Sequence, residues 1–186
     1  KDGFKRVHLD GIVPISENIV LSSKYEFHGI DNASGLKMLN NSSIMFTSGA
    51  QVAFTNCVLE LNNDLVNAEV SPSFFNINNA NASFIGCEIV ANFTGSGSVF
   101  VSDSSTVSFE NCGITIRADR YSSLFSGVRT NLTVSGGRYT TIAPTAVIFS
   151  LSSGIFSLTD SYCKVYSNLG RVAELSGVSA SITGNN

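Results

Sequence analysis

A six-residue pattern recurs eight times along this chain of 186 residues and sets its architecture. In each copy the first and third residues are apolar, and the second and fourth are mostly small and polar. Successive copies start 18, 27, 30, 25, 25, 24 and 24 residues apart. The copies begin at Val7, Tyr25, Val52, Ala82, Val107, Leu132, Phe156 and Ala180. Alternation with a period of two predicts a strand with one buried face, and the regular spacing predicts one structural unit per period.

The fifth position of the pattern holds only glycine, asparagine or aspartate. Its members are Gly11, Gly29, Asn56, Gly86, Asn111, Gly136, Asp160 and Gly184. These three residue types enter the left-handed backbone region at the lowest cost. The column therefore predicts a sharp bend at the same place in every unit.

Two further apolar runs complete each unit. One begins after the bend, as in residues 57–61. The other is an adjacent apolar pair that lies thirteen and twelve residues before the sixth position of the pattern. The pairs are Ile44 and Met45, Phe74 and Phe75, Val99 and Phe100, Leu124 and Phe125, Ile148 and Phe149, and Val172 and Ala173. Each unit thus holds three short strands, which favours a parallel β-helix over a leucine-rich repeat, whose return segment is helical.

The sequence predicts an all-β chain, a single right-handed parallel β-helix over residues 1–186, with about 24 to 30 residues in each of seven to eight coils. Right-handedness is the general preference of parallel crossovers. The predicted coils are 7–24, 25–43, 44–73, 74–98, 99–123, 124–147, 148–171 and 172–186. Because the last copy of the pattern ends in mid-coil, we expect an excerpt of a longer array, or an end covered by N-terminal residues or by a partner.

The three-strand coil with Asn, Asp or Gly at the bend resembles the right-handed parallel β-helix of the pectate-lyase-like superfamily. The phrase Phe-x-Asn-Cys at residues 54–57 and 109–112 is similar to that of β-helical passenger domains of bacterial surface proteins, such as the chlamydial polymorphic membrane proteins. The resemblance implies an adhesin or passenger stalk at the cell surface.

Composition narrows the range of partners. Only 13% of the residues are charged and the net charge is −3, so we expect no nucleic-acid binding. Polar residues interrupt every apolar run well short of the roughly 18 residues that span a bilayer. We therefore expect membrane attachment only through other parts of a longer protein.

The four cysteines are predicted to point into the coil. Cys57, Cys87 and Cys112 share one column, and Cys163 falls two residues later in its own coil. A linear stack does not bring sulfurs to the tetrahedral geometry of a zinc site, and stacked neighbours are poorly oriented for disulfides. We expect buried free thiols, with disulfides as the alternative, and neither a metal site nor a cofactor.

An enzyme of this fold would need acids on the outer face of the coil. The outward positions after the bend are predicted to be Val58, Glu60, Glu88, Val90, Arg117, Arg138, Tyr162, Lys164 and Tyr166. Glu60 and Glu88 are the one pair of acids there, and they are the candidate catalytic residues of a polysaccharide lyase or hydrolase. A third hypothesis is ice binding through Ser and Thr columns on the first strand, which Ile85 and Glu110 interrupt.

Two segments are candidates for binding. The longest coil carries its extra residues at 62–73, including Asp64 and Glu69, and insertions on a repeat scaffold form surface loops. A charge cluster follows at Arg117, Asp119, Arg120 and Tyr121, with Arg129 and Arg138 in the next coil. These predict a secreted or surface-exposed, non-catalytic module that contacts a host-cell protein or a glycan; the alternative is a polysaccharide-active enzyme or a carbohydrate-binding β-helix.

Overall fold

The computed structural model describes residues 3–39, 41–63 and 72–184, and within these ranges the chain is all β. Its strands stack in parallel as a right-handed β-helix of about 7 turns. The fold predicted from the repeat is therefore confirmed. No helix in the described ranges is long and apolar enough to cross a membrane.

Each coil contributes a first, a second and a third strand. The first strands, which carry the six-residue pattern, are β1 (Lys5–Leu9), β4 (Lys24–Gly29), β7 (Gln51–Thr55), β10 (Asn81–Ile85) and β13 (Thr106–Glu110). The second strands are β2 (Ile12–Ile15), β5 (Gly35–Met38), β8 (Val58–Asn63), β11 (Glu88–Phe93), β14 (Gly113–Ala118), β16 (Arg138–Ile142) and β18 (Tyr162–Tyr166). The third strands are β3 (Ile19–Leu21), β6 (Ile44–Phe46), β9 (Ser73–Asn78) and β12 (Ser96–Asp103).

In the later coils the third strand continues into the next first strand without a break. The merged strands are β15 (Tyr121–Ser135), β17 (Thr145–Thr159) and β19 (Leu169–Thr183). First and third strands consequently belong to one sheet of 12 strands, whereas the second strands form a separate sheet of 7. The prediction of three separate short strands per coil holds for the earlier coils and is wrong for these, because the ladder continues on both sides of the corner between third and first strand, where Arg129, Ser153 and Gly177 have a positive φ.

The predicted bend is present in seven of the eight copies. Backbone φ is positive at Gly11, Asn56, Gly86, Asn111, Gly136, Asp160 and Gly184, with values between 50° and 70°. Gly29 is the exception, since it ends β4 and has no positive φ. The left-handed residue bends the chain between the first and second strands, which belong to different sheets.

The first copy of the pattern is aligned wrongly in the sequence-based prediction. Val7 pairs with Phe27, and not with Tyr25, so β1 is shifted by two residues. The shift is possible because a loop at residues 30–34 follows β4, and this loop lets Gly35 pair with Ile12 at the start of the second strands. From β4 onward the predicted register of the first strands is confirmed.

The first of the adjacent apolar pairs, in β6, is also aligned differently from the prediction. Ile44 pairs with Phe75, not with Phe74, because β6 alternates in burial and Met45 is exposed. From β9 onward both residues of each pair are buried, except in β19. Between β12 and β15 the ladder passes from the pair Ser98–Ser123 directly to the pair Phe100–Phe125. Val99 and Leu124 therefore lie at a kink and also point inward.

Stacked phenylalanines fill the core. Phe27, Phe54, Phe84 and Phe109 stack along the first strands with ring centres 4.8, 5.3 and 5.2 Å apart. A second stack begins with Phe75 and Phe100 at 4.9 Å, and its rings meet those of the first stack edge-on. Offset and edge-on aromatic pairs stabilise beyond the area they bury. The result is a continuous aromatic core that fixes the position of the outer faces.

The last coil has less cover than the others. Among the described strands β19 pairs with β17 alone, and Leu169 and Ile182 are 73% and 53% exposed. The expectation that another segment or a partner covers this end stays a prediction.

Candidate functional site

The sheet of second strands presents an outer face with three outward columns. The ladder pairs Gly113 with Arg138 and Arg138 with Tyr162 in the first column. The second and third columns follow at steps of two residues, because alternate side chains of a strand point to the same side. The nine outward positions of β14, β16 and β18 are Gly113, Thr115, Arg117, Arg138, Thr140, Ile142, Tyr162, Lys164 and Tyr166. This set is named the β14–β18 face.

Two cations on this face lie against tyrosine rings. The guanidinium carbon of Arg138 is 5.2 Å from the centre of the Tyr162 ring. The ammonium nitrogen of Lys164 is 4.5 Å from the centre of the Tyr166 ring. A hydrogen bond with Tyr166, with a smaller contribution from the nearby Tyr162, raises the pKa of Lys164. Both cations are held in place by rings that leave their charge unneutralised.

Elsewhere in the described residues several cations are paired with acids. The carboxylate partners of Arg6, Lys37, Arg129 and Arg171 are Glu26, Glu60, Asp103 and Glu174. None of the ion pairs found in residues 3–39, 41–63 and 72–184 includes Arg117, Arg138 or Lys164. The nine positions of the β14–β18 face therefore carry three positive charges and no acid of their own, in a chain whose net charge is −3, and the carboxylate of Glu88 reaches over Gly113 from the neighbouring strand.

A groove borders this face where the second strands end. One part, of about 360 Å³, is lined by Asn92, Phe93, Thr94, Arg117, Ala118, Asp119 and Ile142. The adjoining part, of about 450 Å³, is lined by Ala118, Ile142, Ala143, Pro144, Tyr166, Ser167 and Asn168. Ala118 and Ile142 are common to both parts. The groove thus combines a small apolar floor with amide and hydroxyl groups, one cation and one acid.

No family model, curated protein or solved structure matches this chain. The β-helix is assigned from the strand register of the chain itself. Membership in the pectate-lyase-like superfamily, and kinship with bacterial passenger domains, stay predictions.

The structure brings some of the predicted contact residues together. Arg117 ends the outward face of β14, Asp119 and Arg120 form the exposed corner that follows, and Tyr121 begins β15 half-buried. Partial burial raises the pKa of Tyr121. Arg138 lies on the same sheet one coil later, four residues nearer the bend. These five residues border one region of the surface.

Arg129 lies apart from that region, at the corner between the third and first strands. Its guanidinium makes two hydrogen bonds of 2.7 Å to the carboxylate oxygens of Asp103, and its Nε donates to the Ser104 hydroxyl at 3.0 Å. The backbone of Arg129 has a φ of 50°. Its charge is neutralised within the chain, so it differs from the cations of the β14–β18 face.

Tyr162, Lys164 and Tyr166 were predicted to point outward but were not singled out as site residues. The available signal was the alternation Tyr-x-Lys-x-Tyr on a strand whose neighbour carries Arg138. Pairing of these residues depends on the strand register, and only the structure shows that the rings meet the cations.

The two candidate catalytic acids occupy adjacent strands but not one column. Glu88 pairs with Val58, and Glu60 pairs with Val90, so the acids are offset by two residues. Glu60 forms an ion pair of 2.9 Å with Lys37. The carboxylate of Glu88 lies over Gly113, and partial desolvation raises its pKa although the residue is exposed overall.

The other predicted binding loop is only partly described. Asp64 and Glu69 lie outside the described residues. Asn62 ends the outward face of β8, and its side-chain oxygen accepts a hydrogen bond of 3.0 Å from the amide of Asn92 in the next coil.

The four cysteines are free thiols, as expected. The thiols of Cys57, Cys87 and Cys112 donate to backbone carbonyls. Cys112, for example, donates to the carbonyl oxygens of Phe84 and Glu110 at 3.3 and 3.5 Å. Contact with the thiols on either side raises the pKa of Cys87. The part of the chain that the structure describes contains no cluster of three or more His, Cys, Asp or Glu side chains suited to a metal ion.

The Ser and Thr columns of the first strands are in register. Ser83, Ser108, Thr133, Ser157 and Ser181 follow one another in the ladder. Ile85 and Glu110 pair with each other in the neighbouring column and break its hydroxyl pattern. The first of these columns is uncharged in these five coils, the second contains Glu110, and ice binding gains no further support from this arrangement.

Proposed function

We propose that this chain is a non-catalytic β-helical module, secreted or exposed at a cell surface, that mediates attachment. The observation that carries the proposal is the β14–β18 face, where Arg117, Arg138 and Lys164 have no acidic partner among the described residues. Unpaired cations next to exposed tyrosines are typical of surfaces that contact a partner.

The scaffold suits this role. The ladders that join β14, β16 and β18, and the buried core beneath them, hold the side chains of the face in a fixed register. Binding groups on a rigid element lose less entropy on association than those on a loop. A regular solenoid of this kind serves as a stalk that holds contact residues away from a surface.

The proposed setting is extracellular, with a host-cell protein or a glycan as partner. The similarity of the bend motif to bacterial passenger domains supports this setting, as does an exterior rich in Ser, Asn and Thr and poor in charge. On the basis of the same similarity, we propose a role in virulence.

The test is retention of the purified chain on a panel of immobilised glycans and extracellular proteins, with the glycans analysed afterwards for shortened or unsaturated products. Binding without products supports the proposed function. Products overturn it, and retention on no member of the panel removes its basis.

A second candidate function is polysaccharide cleavage at Glu60 and Glu88. The observation in its favour is that the two acids have different surroundings, since Lys37 pairs with Glu60 while desolvation raises the pKa of Glu88. Such a difference is what an acid and its partner carboxylate require. The variant Glu88→Gln would abolish product formation if this candidate is right, and would leave binding unchanged if the attachment role is right.

A further inference from the structure

We propose that the β14–β18 face binds a linear sulfated polysaccharide, laid across the second strands and along the adjoining groove. This inference rests on the proposed function and names the ligand class for it. It is carried by the charge, spacing and aromatic contacts of this face.

The charge of the face calls for an anionic ligand. Three of its nine outward residues are cations, and none is an acid. The nearest acids are Asp119 in the groove and Glu88, whose backbone lies two strands before Arg138 and whose carboxylate reaches over Gly113, next to Arg138 in the ladder. Arg120, exposed at the corner, adds a fourth cation and offsets Asp119. A guanidinium binds sulfate oxygens in a bidentate manner, as it binds phosphate or carboxylate.

The spacing of the cations favours a long ligand over a single small anion. With strands about 4.8 Å apart and about 3.3 Å per residue, the Cα atoms of Arg138 and Lys164 lie about 8 Å apart. The same geometry places Arg117 about 12 Å from Lys164 and about 14 Å from Arg138. One inorganic anion cannot touch all three side chains. A sulfated chain carries anions at a density that lets one molecule engage several separated cations.

The tyrosines and the groove favour a sugar backbone. Tyr162 and Tyr166 are 38% and 49% exposed and stand four residues apart on one strand. An exposed tyrosine offers an apolar ring to the C–H face of a pyranose and a hydroxyl to its polar edge. The groove beside them supplies the side chains of Asn92, Thr94, Ser167 and Asn168 for sugar hydroxyls.

The experiment measures affinity for heparin, with polygalacturonate, dextran and a poly-glutamate peptide of similar length as comparison ligands. The variants are Arg117→Gln, Arg138→Gln and Lys164→Gln. The matched control is Arg6→Gln, which removes one positive charge from an arginine paired with Glu26 on another sheet. All four side chains are exposed, and retention of the β-sheet circular dichroism spectrum verifies folding.

We expect heparin to bind and dextran not to bind, with affinity falling steeply as salt rises. Each of the three face variants should weaken heparin binding about tenfold, the loss of roughly one charge-assisted contact. Arg6→Gln should leave binding within about twofold.

The outcomes separate this inference from the attachment role. Equal binding of polygalacturonate or poly-glutamate overturns the assignment to a sulfated polysaccharide, and equal loss in Arg6→Gln overturns the assignment to this face. If heparin fails to bind while another member of the wider panel is retained, the inference is wrong and the attachment role stands. If nothing on the panel is retained, both fall.

Discussion

The side-chain oxygen of Asn111 lies directly over the Cα of Gly136 in the next coil, where a Cβ atom would overlap it. The same relationship joins Asn56 to Gly86, with 2.5 Å to the Cβ position, and Asp160 to Gly184. From Asn56 onward the bend column therefore alternates between a residue with a polar side chain and a glycine that makes room for it.

We expect Gly136→Ala to lower the free energy of unfolding by more than the cost of its backbone conformation. Gly136 has a φ of 68°, and a left-handed alanine costs about 1 to 2 kcal/mol. Overlap with Asn111 adds to that cost. Denaturant unfolding of the variant and of the parent chain measures the difference.

Gly11→Ala is the matched control, because Gly11 has a φ of 70° and no neighbouring atom within 4 Å of the Cβ position. It should show the conformational cost alone. In an Asn111→Gly background, Gly136→Ala should cost no more than Gly11→Ala does. An equal cost of Gly136→Ala with and without Asn111 would contradict the packing explanation.

A buried hydroxyl predicts a stabilising substitution. Tyr139 is fully buried in the core, and its hydroxyl has no hydrogen-bond partner in the described structure. Burial raises its pKa. Because an unsatisfied buried hydroxyl costs about 1 to 3 kcal/mol, Tyr139→Phe should raise the unfolding free energy by about 1 kcal/mol. The midpoint of urea unfolding measures this.

Thr141→Val should raise the unfolding free energy for the same reason, since the Thr141 hydroxyl is also buried and lacks a partner in the described structure. Tyr139→Ala should instead destabilise by about 3 to 5 kcal/mol, because it leaves a cavity. A loss of stability in Tyr139→Phe would show that the hydroxyl has a partner in solution.

The thiols should differ in their reactivity. Cys57, Cys87 and Cys112 are at most 1% exposed, whereas Cys163 is half-buried. In the native protein a thiol reagent should modify Cys163 first, and the other three only at the rate of local or global opening. Mass spectrometry of the labelled peptides gives the order. Modification of Cys87 before Cys163 would contradict the core position of the cysteine column.

The stability should also depend on pH through Cys163. Burial raises the pKa of this thiol to about 11, against about 8.5 for an exposed cysteine. The folded state therefore holds its proton more tightly than the unfolded state. The stability that Cys163 contributes is fully present below about pH 8.5 and is lost as pH rises through the folded value.

The difference in unfolding free energy between the parent chain and Cys163→Ala isolates this effect apart from the electrostatic interaction of Cys163 with Tyr139, because the other titratable side chains are common to both. That difference should shrink from pH 8 to pH 11. A difference that stays constant over this range would mean that the thiol titrates alike in both states.

Much of the fold followed from the sequence because a stacked coil repeats its constraints. Apolar alternation set the strand faces, and the Gly, Asn and Asp column set the bend. The errors arose where a local feature changed the register. The loop after Gly29 shifted β1, and β6, which lacks the kink of the later third strands, places Ile44 opposite Phe75 and not opposite Phe74. Apolar alternation with a period of two predicts neither of these changes.

The candidate site was harder to predict, because charge density along the chain does not report pairing across coils. Arg129 belongs to the predicted cluster by its position in the sequence, but its partner Asp103 lies in the previous coil. Lys164 stands apart in the sequence from the other cations, yet the ladder places it one strand from Arg138. The distinction between neutralised and unpaired cations requires the register.

The alternation of the bend column gives the solenoid two periods at once. Geometrically the unit is one coil, but chemically it is a pair of coils, one with a side chain at the bend and one with a glycine that receives it. Loss of a single coil would set two asparagines or two glycines against each other, whereas loss of two neighbouring coils would restore the match. A chain of this design lengthens and shortens most readily in even steps.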